Sequence, residues 1–357
     1  MSFNDLMASQ LGLGNKKASV MSESPYFQTP DYVVTDVPVI NAAFSGKING
    51  GIVPGITIVA GESKSFKTLL SLYCMAAYLK KYPDAIAIVY DTEYGITVDY
   101  LKSVGIDPDR VLHVPIHHVE ELKFDMVKRL EAMKRGQKIF YLVDSLGLLP
   151  SKKESDDAIE EKSVADMTRS KAIRSFFRMV TSRITENQIP LFVVNHFYST
   201  MELYAKKIIS GGQSVMLAAN QAFIITKAQE KDGTDLVGWN FTINIEKSRF
   251  VKEKSKFGFT VLYDKGISKW SGLLDLALES GHVIKPKMGW YQIPGQEKNF
   301  RAKDTNNSAF WLPILQDKTF QEFVEAKFQV SHGDLMVDED TEEVFDGLDE
   351  DENELET

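Results

Sequence analysis

The stretch from Ile56 to Tyr73, ITIVAGESKSFKTLLSLY, constrains the fold of this chain more than any other. A β-branched run leads to Gly61, four residues follow, and Phe66, Lys67 and Thr68 open an apolar segment of helical character. Strand, loop, Lys-Thr and helix stand in the order of a phosphate-binding loop, G-x-x-x-x-G-K-[ST], with a phenylalanine where the second glycine belongs. Backbone N–H groups of Gly61, Glu62, Ser63, Lys64, Ser65, Phe66, Lys67 and Thr68 could surround phosphates, helped by the dipole of the following helix. Lys67 would reach the β- and γ-phosphates and Thr68 would ligate Mg²⁺. The position before the lysine can be helical, with its side chain turned away from the nucleotide, so Phe66 is compatible with a working loop. Taken alone, the segment also reads as a chance match with a buried phenylalanine.

Two more buried strands end in carboxylates: IAIVYDTEYG at Asp91 and Glu93, and KIFYLVDSLG at Asp144. A single such carboxylate is more often a turn or a helix cap. Three strand ends offering Lys-Thr, Glu and Asp are complementary in chemistry: Asp144 for the magnesium shell, and Glu93 to polarise a water against the γ-phosphate. Strands are expected at 56–60, 85–90, 139–143, 191–194, 222–226 and 241–245, with helical patterns between the first four. That spacing predicts a parallel sheet wrapped by helices and continued by antiparallel strands. Ile173, Phe176, Phe177, Val180 and Ile184 form one helical stripe and are expected in the core, with Arg169, Lys171, Arg174, Arg178 and Arg183 off it as a solvated face or the flank of a ligand groove.

Charge is unevenly spread. Residues 338–357 hold twelve Asp or Glu and no Lys or Arg, so without them the net charge of −9 becomes +3. Such a block is expected to be a disordered tail, solubilising or competing with a polyanion for a basic groove. A calcium loop starting at Asp338 would need glycine where Glu343 stands. The single cysteine, Cys74, and the absence of a long apolar run near the N-terminus lead to the expectation of a reducing, cytoplasmic compartment without membrane insertion.

The order GESKSFKT, DTEYG, YLVDSLG, VVNH, SGGQ and EKSR resembles the RecA family of recombinases. Within it the chain is similar to the UvsX-type branch of T-even-type bacteriophages, whose loop also reads Ser-Lys-Ser-Phe-Lys. That similarity extends to VKEKSKF (251–257), SGLLDLALE (271–279), KPKMGWY (285–291) and RAKDTN (301–306). It implies an α/β fold: a RecA-like P-loop ATPase core, mainly a parallel twisted sheet with helices on both faces, and a small C-terminal α/β domain. The implied boundaries are 1–30 for docking on the next protomer, 31–270 for the ATPase core, 271–337 for the small domain, and 338–357 for the tail.

The resemblance also implies roles. Glu93 matches the catalytic glutamate, and His196 stands where bacterial relatives carry a glutamine that senses γ-phosphate. Lys247 and Arg249 match a basic pair that crosses to the neighbouring subunit's nucleotide, and Tyr100 and Tyr263 match tyrosines packed around adenine. DNA contact is expected from two mobile loops, about 148–164 with Lys152 and Lys153, and about 197–215 with Tyr198, Tyr204, Lys206, Lys207, Gly211 and Gly212. Lysines neutralise phosphates, aromatic rings stack on bases, and glycines let the backbone approach the strand. Acidic neighbours weaken the first loop, so the second is the stronger candidate. The other histidines, including His117 and His118, lack zinc spacing and are read as structural. The implied protein is an ATP- and Mg²⁺-dependent strand-exchange recombinase, acting in the cytoplasm of an infected bacterial host. It would form filaments on single-stranded DNA, engage double-stranded DNA, and work with a recombination mediator and a single-stranded-DNA-binding protein. A ring-forming helicase and a nucleotide-gated DNA scaffold remain as alternatives.

Overall fold

A computed structural model describes residues 3–11, 13–14, 18–24, 31–134, 136–160, 168–199 and 207–330. The chain opens with helix α1 (Phe3–Leu11), which buries none of its residues, and α2 (Pro38–Ser45), which buries all of its own. The core then alternates: β1 (Gly55–Gly61), α3 (Lys67–Lys81), β2 (Ile86–Asp91), α4 (Val98–Ser103), β3 (Val111–Pro115), α5 (Val119–Ala132), β4 (Ile139–Asp144), α6 (Lys152–Ile159), α7 (Thr168–Glu186) and β5 (Pro190–Asn195). A hairpin of β6 (Phe197–Ser199) and β7 (Lys207–Ile209), α8 (Gln213–Ala218) and four strands follow: β8 (Gln221–Asp232), β9 (Asp235–Ser248), β10 (Lys256–Leu262) and β11 (Gly266–Ile267). The C-terminal part holds α9 (Leu273–Glu279), the small sheet β12 (Ile284–Lys287), β13 (Trp290–Gln292) and β14 (Asn299–Phe300), then α10 (Ser308–Gln316) and α11 (Lys318–Phe328).

Nine strands form the main sheet in the order β11-β10-β9-β8-β1-β5-β4-β2-β3. The six from β8 to β3 are parallel, and β9, β10 and β11 add antiparallel strands. Strands covered on both faces read as apolar runs, which is why Ile56–Ala60 and Leu191–Val194 were legible as strands. Their alternate residues feed two cores. Ile56, Ile58, Leu191 and Val193 pack with the α5 and α7 stripes, while Val59, Phe192 and Val194 pack with α2, α3 and the C-terminal helices. Ile173, Phe176, Phe177, Val180 and Ile184 are all buried.

The sheet is larger than its sequence pattern. β3 was not expected, because VLHVP lies at the sheet edge with no residue fully buried. β8 and β9 run well past the expected 222–226 and 241–245: the outer end of β8, KAQEKD, is polar, and that of β9 holds Leu236 exposed and Val237 and Trp239 only partly buried. α11 returns to the core through Phe328 on Phe257, with ring centroids 4.5 Å apart, and a Lys47–Glu325 ion pair of 2.9 Å. No helix among the described residues is long and apolar enough to cross a membrane.

Candidate active site

β1 pairs with β5 from Gly55–Pro190 to Ala60–Asn195, and β2 pairs with β4 up to Asp91–Asp144. Four strands therefore deliver their last residues to one edge of the sheet, the edge at which open α/β sheets bind ligands. Gly61 is required there: a Cβ would lie 2.2 Å from Ser65 Oγ. The loop then curls so that Ser65 Oγ and Lys67 Nζ both donate to the Glu62 carbonyl, at 2.7 and 2.6 Å.

Phe66 is not helical as the sequence allowed. It is the N-cap of α3 with φ 70° and ψ 11°, a left-handed conformation that costs an L-residue roughly 1–2 kcal/mol. Lys64 is also left-handed, with φ 57°. The Phe66 ring turns away from the loop onto Phe241 and Phe259, with centroids 4.8 and 5.5 Å away. Aromatic packing thus holds a conformation that a glycine would adopt freely.

Thr68 Oγ1 donates to Asp144 Oδ2 at 2.7 Å. Burial pushes the Asp144 carboxyl up to about 6, with the Thr68 bond opposing and the nearby Glu93 and Asp91 carboxylates adding to the rise. Burial also lowers the proton affinity of the Lys67 ammonium, while Glu93 and Asp144 raise it. One hydroxyl and one carboxylate suit Mg²⁺, which takes few protein ligands and fills its shell with phosphate oxygens and water. No group of three or more His, Cys, Asp or Glu among the described residues could hold a metal by itself.

Glu93 lies on the same cleft. Its Oε1 accepts from Ser145 Oγ at 2.6 Å and sits 3.8 Å from His196 Nε2, which has no hydrogen-bond partner among the described residues. The Glu93 backbone is held by Asp91, whose Oδ1 accepts the N–H of Glu93 at 3.0 Å and of Tyr94 at 2.8 Å. Asp91 Oδ2 is 3.1 Å from His113 Nε2. Sequence reasoning missed Ser145 and His113; a serine after a strand and a lone histidine give no signal of their own. Thr68, Glu93, Tyr100 and Asp144 line a cleft of about 610 Å³. A larger cavity of about 800 Å³ lies between β8–β10 and the C-terminal part, and it contains Tyr263. The smaller cleft is the site because it alone of the two holds Thr68, next to Lys67 at the start of α3, together with Glu93 and Asp144; Tyr263 does not line it.

Lys247 and Arg249 lie elsewhere. Lys247 pairs with Ala222 and its Nζ donates to the Met216 carbonyl at 2.6 Å, while the Arg249 N–H donates to the Asn220 carbonyl, which leads into β8. Burial and Arg249 lower the Lys247 proton affinity. Asn220 in turn bonds to Ile56, so the pair flanks the start of β1 and the phosphate loop its end.

The hairpin β6–β7 leaves the same sheet edge as the phosphate loop, directly after Asn195 and His196. Tyr198, paired with Ile208, is half exposed, and Lys207 Nζ lies 4.9 Å from the Phe197 ring centroid. Gly211 and Gly212 adopt φ 93° and 76° at its exit. Asn195 ties the hairpin together, donating to the Ser210 carbonyl at 2.8 Å and accepting from the His196 N–H at 2.8 Å. Tyr204 and Lys206 lie outside the described residues. The first expected loop is in part a helix: α6 begins at a Ser151–Glu154 capping box, and Lys153 is ion-paired to Asp157. Lys152 and Lys153 therefore sit on a helix.

Residues 31–268 match the RecA N-terminal domain, and residues 270–324 match the C-terminal domain of the bacteriophage T4 recombination and repair protein. The chain is 45% identical to the recombination and repair protein of Enterobacteria phage T4 over 88% of its own length and 83% of that protein. It is 26% identical to protein RecA of Streptomyces coelicolor over 72% of its length and 68% of that protein. Protein RecA of Corynebacterium urealyticum is 24% identical over 94% and 90%.

Proposed function

The chain belongs to the RecA family, on the side of the phage T4 recombination and repair protein, and from that premise we infer that it is an ATP-dependent DNA strand-exchange recombinase. The observation that carries this reading is the meeting of Lys67, Thr68, Glu93 and Asp144 at the sheet edge from which the β6–β7 hairpin emerges.

In this reading residues 61–68 bind the phosphates of ATP through their N–H groups, and Lys67 leaves the Glu62 carbonyl to meet the β- and γ-phosphates. Mg²⁺, held by Thr68 and Asp144, supplies charge neutralisation on those phosphates. Glu93, steadied by Ser145 and Asp91, orients a water for in-line attack and takes its proton. Lys247 and Arg249 stabilise the transferring phosphoryl group of the neighbouring subunit, and their place at the start of β1 supports action in trans. Tyr100, which lines the cleft, packs the adenine.

His196 joins Glu93 to the hairpin and relays the γ-phosphate to the DNA loop. Tyr198, Tyr204, Lys206, Lys207, Gly211 and Gly212 contact single-stranded DNA, with Lys152 and Lys153 secondary. The segment 1–30 docks on the next protomer to build a helical filament. Its helix α1 supports this, since Phe3, Leu6 and Leu11 are all exposed. Residues 31–270 form the ATPase core and 271–337 the small domain, and 338–357 act as an acidic tail. The filament would receive double-stranded DNA, and a mediator and a single-stranded-DNA-binding protein would assist it in the cytoplasm of the infected host. Electron microscopy with single-stranded DNA and a slowly hydrolysed ATP analogue tests the reading. Helical filaments are expected; closed rings would indicate a helicase, and isolated particles would remove the filament.

A further inference from the structure

Two left-handed, non-glycine residues in one loop persist only where their surroundings over-determine them. Phe66 is fixed by its ring, but the Lys64 side chain is exposed and anchors nothing in its own loop. Its peptide is held from outside by Lys227, which stands on β8 two residues beyond the Gly61–Ile225 pairing. Lys227 Nζ donates to the carbonyls of Ser63 at 3.3 Å and Lys64 at 3.1 Å. The ammonium is seated over the Trp239 ring, 5.1 Å from its centroid, and Trp239 Nε1 donates to Tyr263 Oη at 2.8 Å.

In a trans peptide the C=O of one residue and the N–H of the next point in opposite directions. Drawing the Ser63 and Lys64 carbonyls outward therefore turns the N–H groups of Lys64 and Ser65 inward, toward the phosphates. We propose that Lys227 is a positioning residue for nucleotide binding, an external brace that holds the left-handed Lys64 segment of the loop as the Phe66 ring holds its end. The brace rests on the reading of residues 61–68 as an ATP site. No sequence motif marks Lys227, because the loop carbonyls it holds are 163 and 164 positions away.

The test compares full-length wild-type, Lys227→Met, Lys227→Arg and Lys67→Ala proteins. Three quantities are measured: calorimetric affinity for Mg-ATP and Mg-ADP, kcat and KM of DNA-stimulated hydrolysis, and amide hydrogen exchange of the loop without nucleotide. Lys227→Met is expected to weaken ATP and ADP binding alike by about tenfold, the worth of one charge-assisted bond, and to raise KM with kcat nearly unchanged. Its nucleotide-free loop should exchange faster, and Lys227→Arg should restore all three. Unchanged affinity in Lys227→Met, with binding lost in Lys67→Ala, would overturn the brace while leaving the ATP site standing. Full binding by Lys67→Ala would overturn the ATP site and the brace with it. A loss confined to ATP, with ADP affinity and loop exchange unchanged, would overturn the brace in favour of direct contact with the γ-phosphate. If Lys227→Met does not fold, Lys227→Ala is read on the same outcomes.

Discussion

The two ends of β1 are built differently. At its C-terminal end the polar groups are shared: Lys67 bonds to Glu62, Thr68 to Asp144, and Ser145 to Glu93. At its N-terminal end Lys247 is parked on the last turn of α8, and Arg249 shares no bond with any residue of the phosphate loop. In the proposed reading a single protomer therefore holds a preorganised phosphate and metal pocket, with the two cations that would complete it at the other end of the strand. The difference teaches that binding and hydrolysis can be separated by mutation. In the proposed reading binding is a property of one end of one chain, and hydrolysis needs opposite ends of two chains, in the heterologous arrangement that generates open helices.

The comparison is broken most severely at the shared end. In the proposed reading Lys67→Ala removes the loop cation that would face the β- and γ-phosphates, so nucleotide binding, ATP-dependent DNA binding and hydrolysis should all fall to background. Calorimetry with Mg-ATP and a coupled ATPase assay check this; wild-type turnover would make the loop decorative. The Lys247→Ala, Arg249→Ala protein should bind ATP as a monomer with unchanged affinity yet lose about a thousandfold or more in filament turnover, on the scale of an arginine finger. Glu93→Gln should spare ATP and DNA binding while slowing hydrolysis by about a hundredfold, the worth of a positioned general base. Single-turnover kinetics separate that loss from assembly, and equal loss of binding would remove Glu93 from the catalytic role.

The smallest effect concerns the acidic tail, which lies outside the described residues and carries twelve acidic groups without a base. Tethered to a body of net charge +3, it would compete with DNA phosphates at high effective concentration. Truncation after Val337 should tighten binding to duplex a few-fold, and more at low salt, because the Debye length falls from about 30 Å at 0.01 M to about 10 Å at 0.1 M. Superimposable titrations of full-length and truncated protein would rule out self-competition.

Much of this organisation is legible in the sequence, for reasons that can be stated residue by residue. Ile56–Ala60, Tyr90 and Leu142 lie in strands buried on both faces, so their apolar runs announce a parallel sheet, and Gly61, Lys67, Glu93 and Asp144 mark its ligand edge. Edge strand β3 and the outer halves of β8 and β9 escape the pattern because few of their residues are fully buried. The conformation of Phe66 was also hidden. It depends on Phe241 and Phe259, which come to the loop only once β9 and β10 have paired. Ser145, His113 and Lys227 were silent for the same reason: each acts through tertiary contacts, and no local spacing encodes them.

The central claim, that each ATP is hydrolysed between two chains, is tested most directly by mixing. Lys67→Ala protein carries an intact basic pair, and Lys247→Ala, Arg249→Ala protein carries an intact phosphate loop, and each alone should be inactive. Combined in equal amounts on single-stranded DNA, they should regain hydrolysis at up to about a quarter of the wild-type rate, since only one of the four possible interfaces joins the two intact halves. Rates that stay at the level of the separate variants, in filaments shown to contain both, would contradict action across the interface.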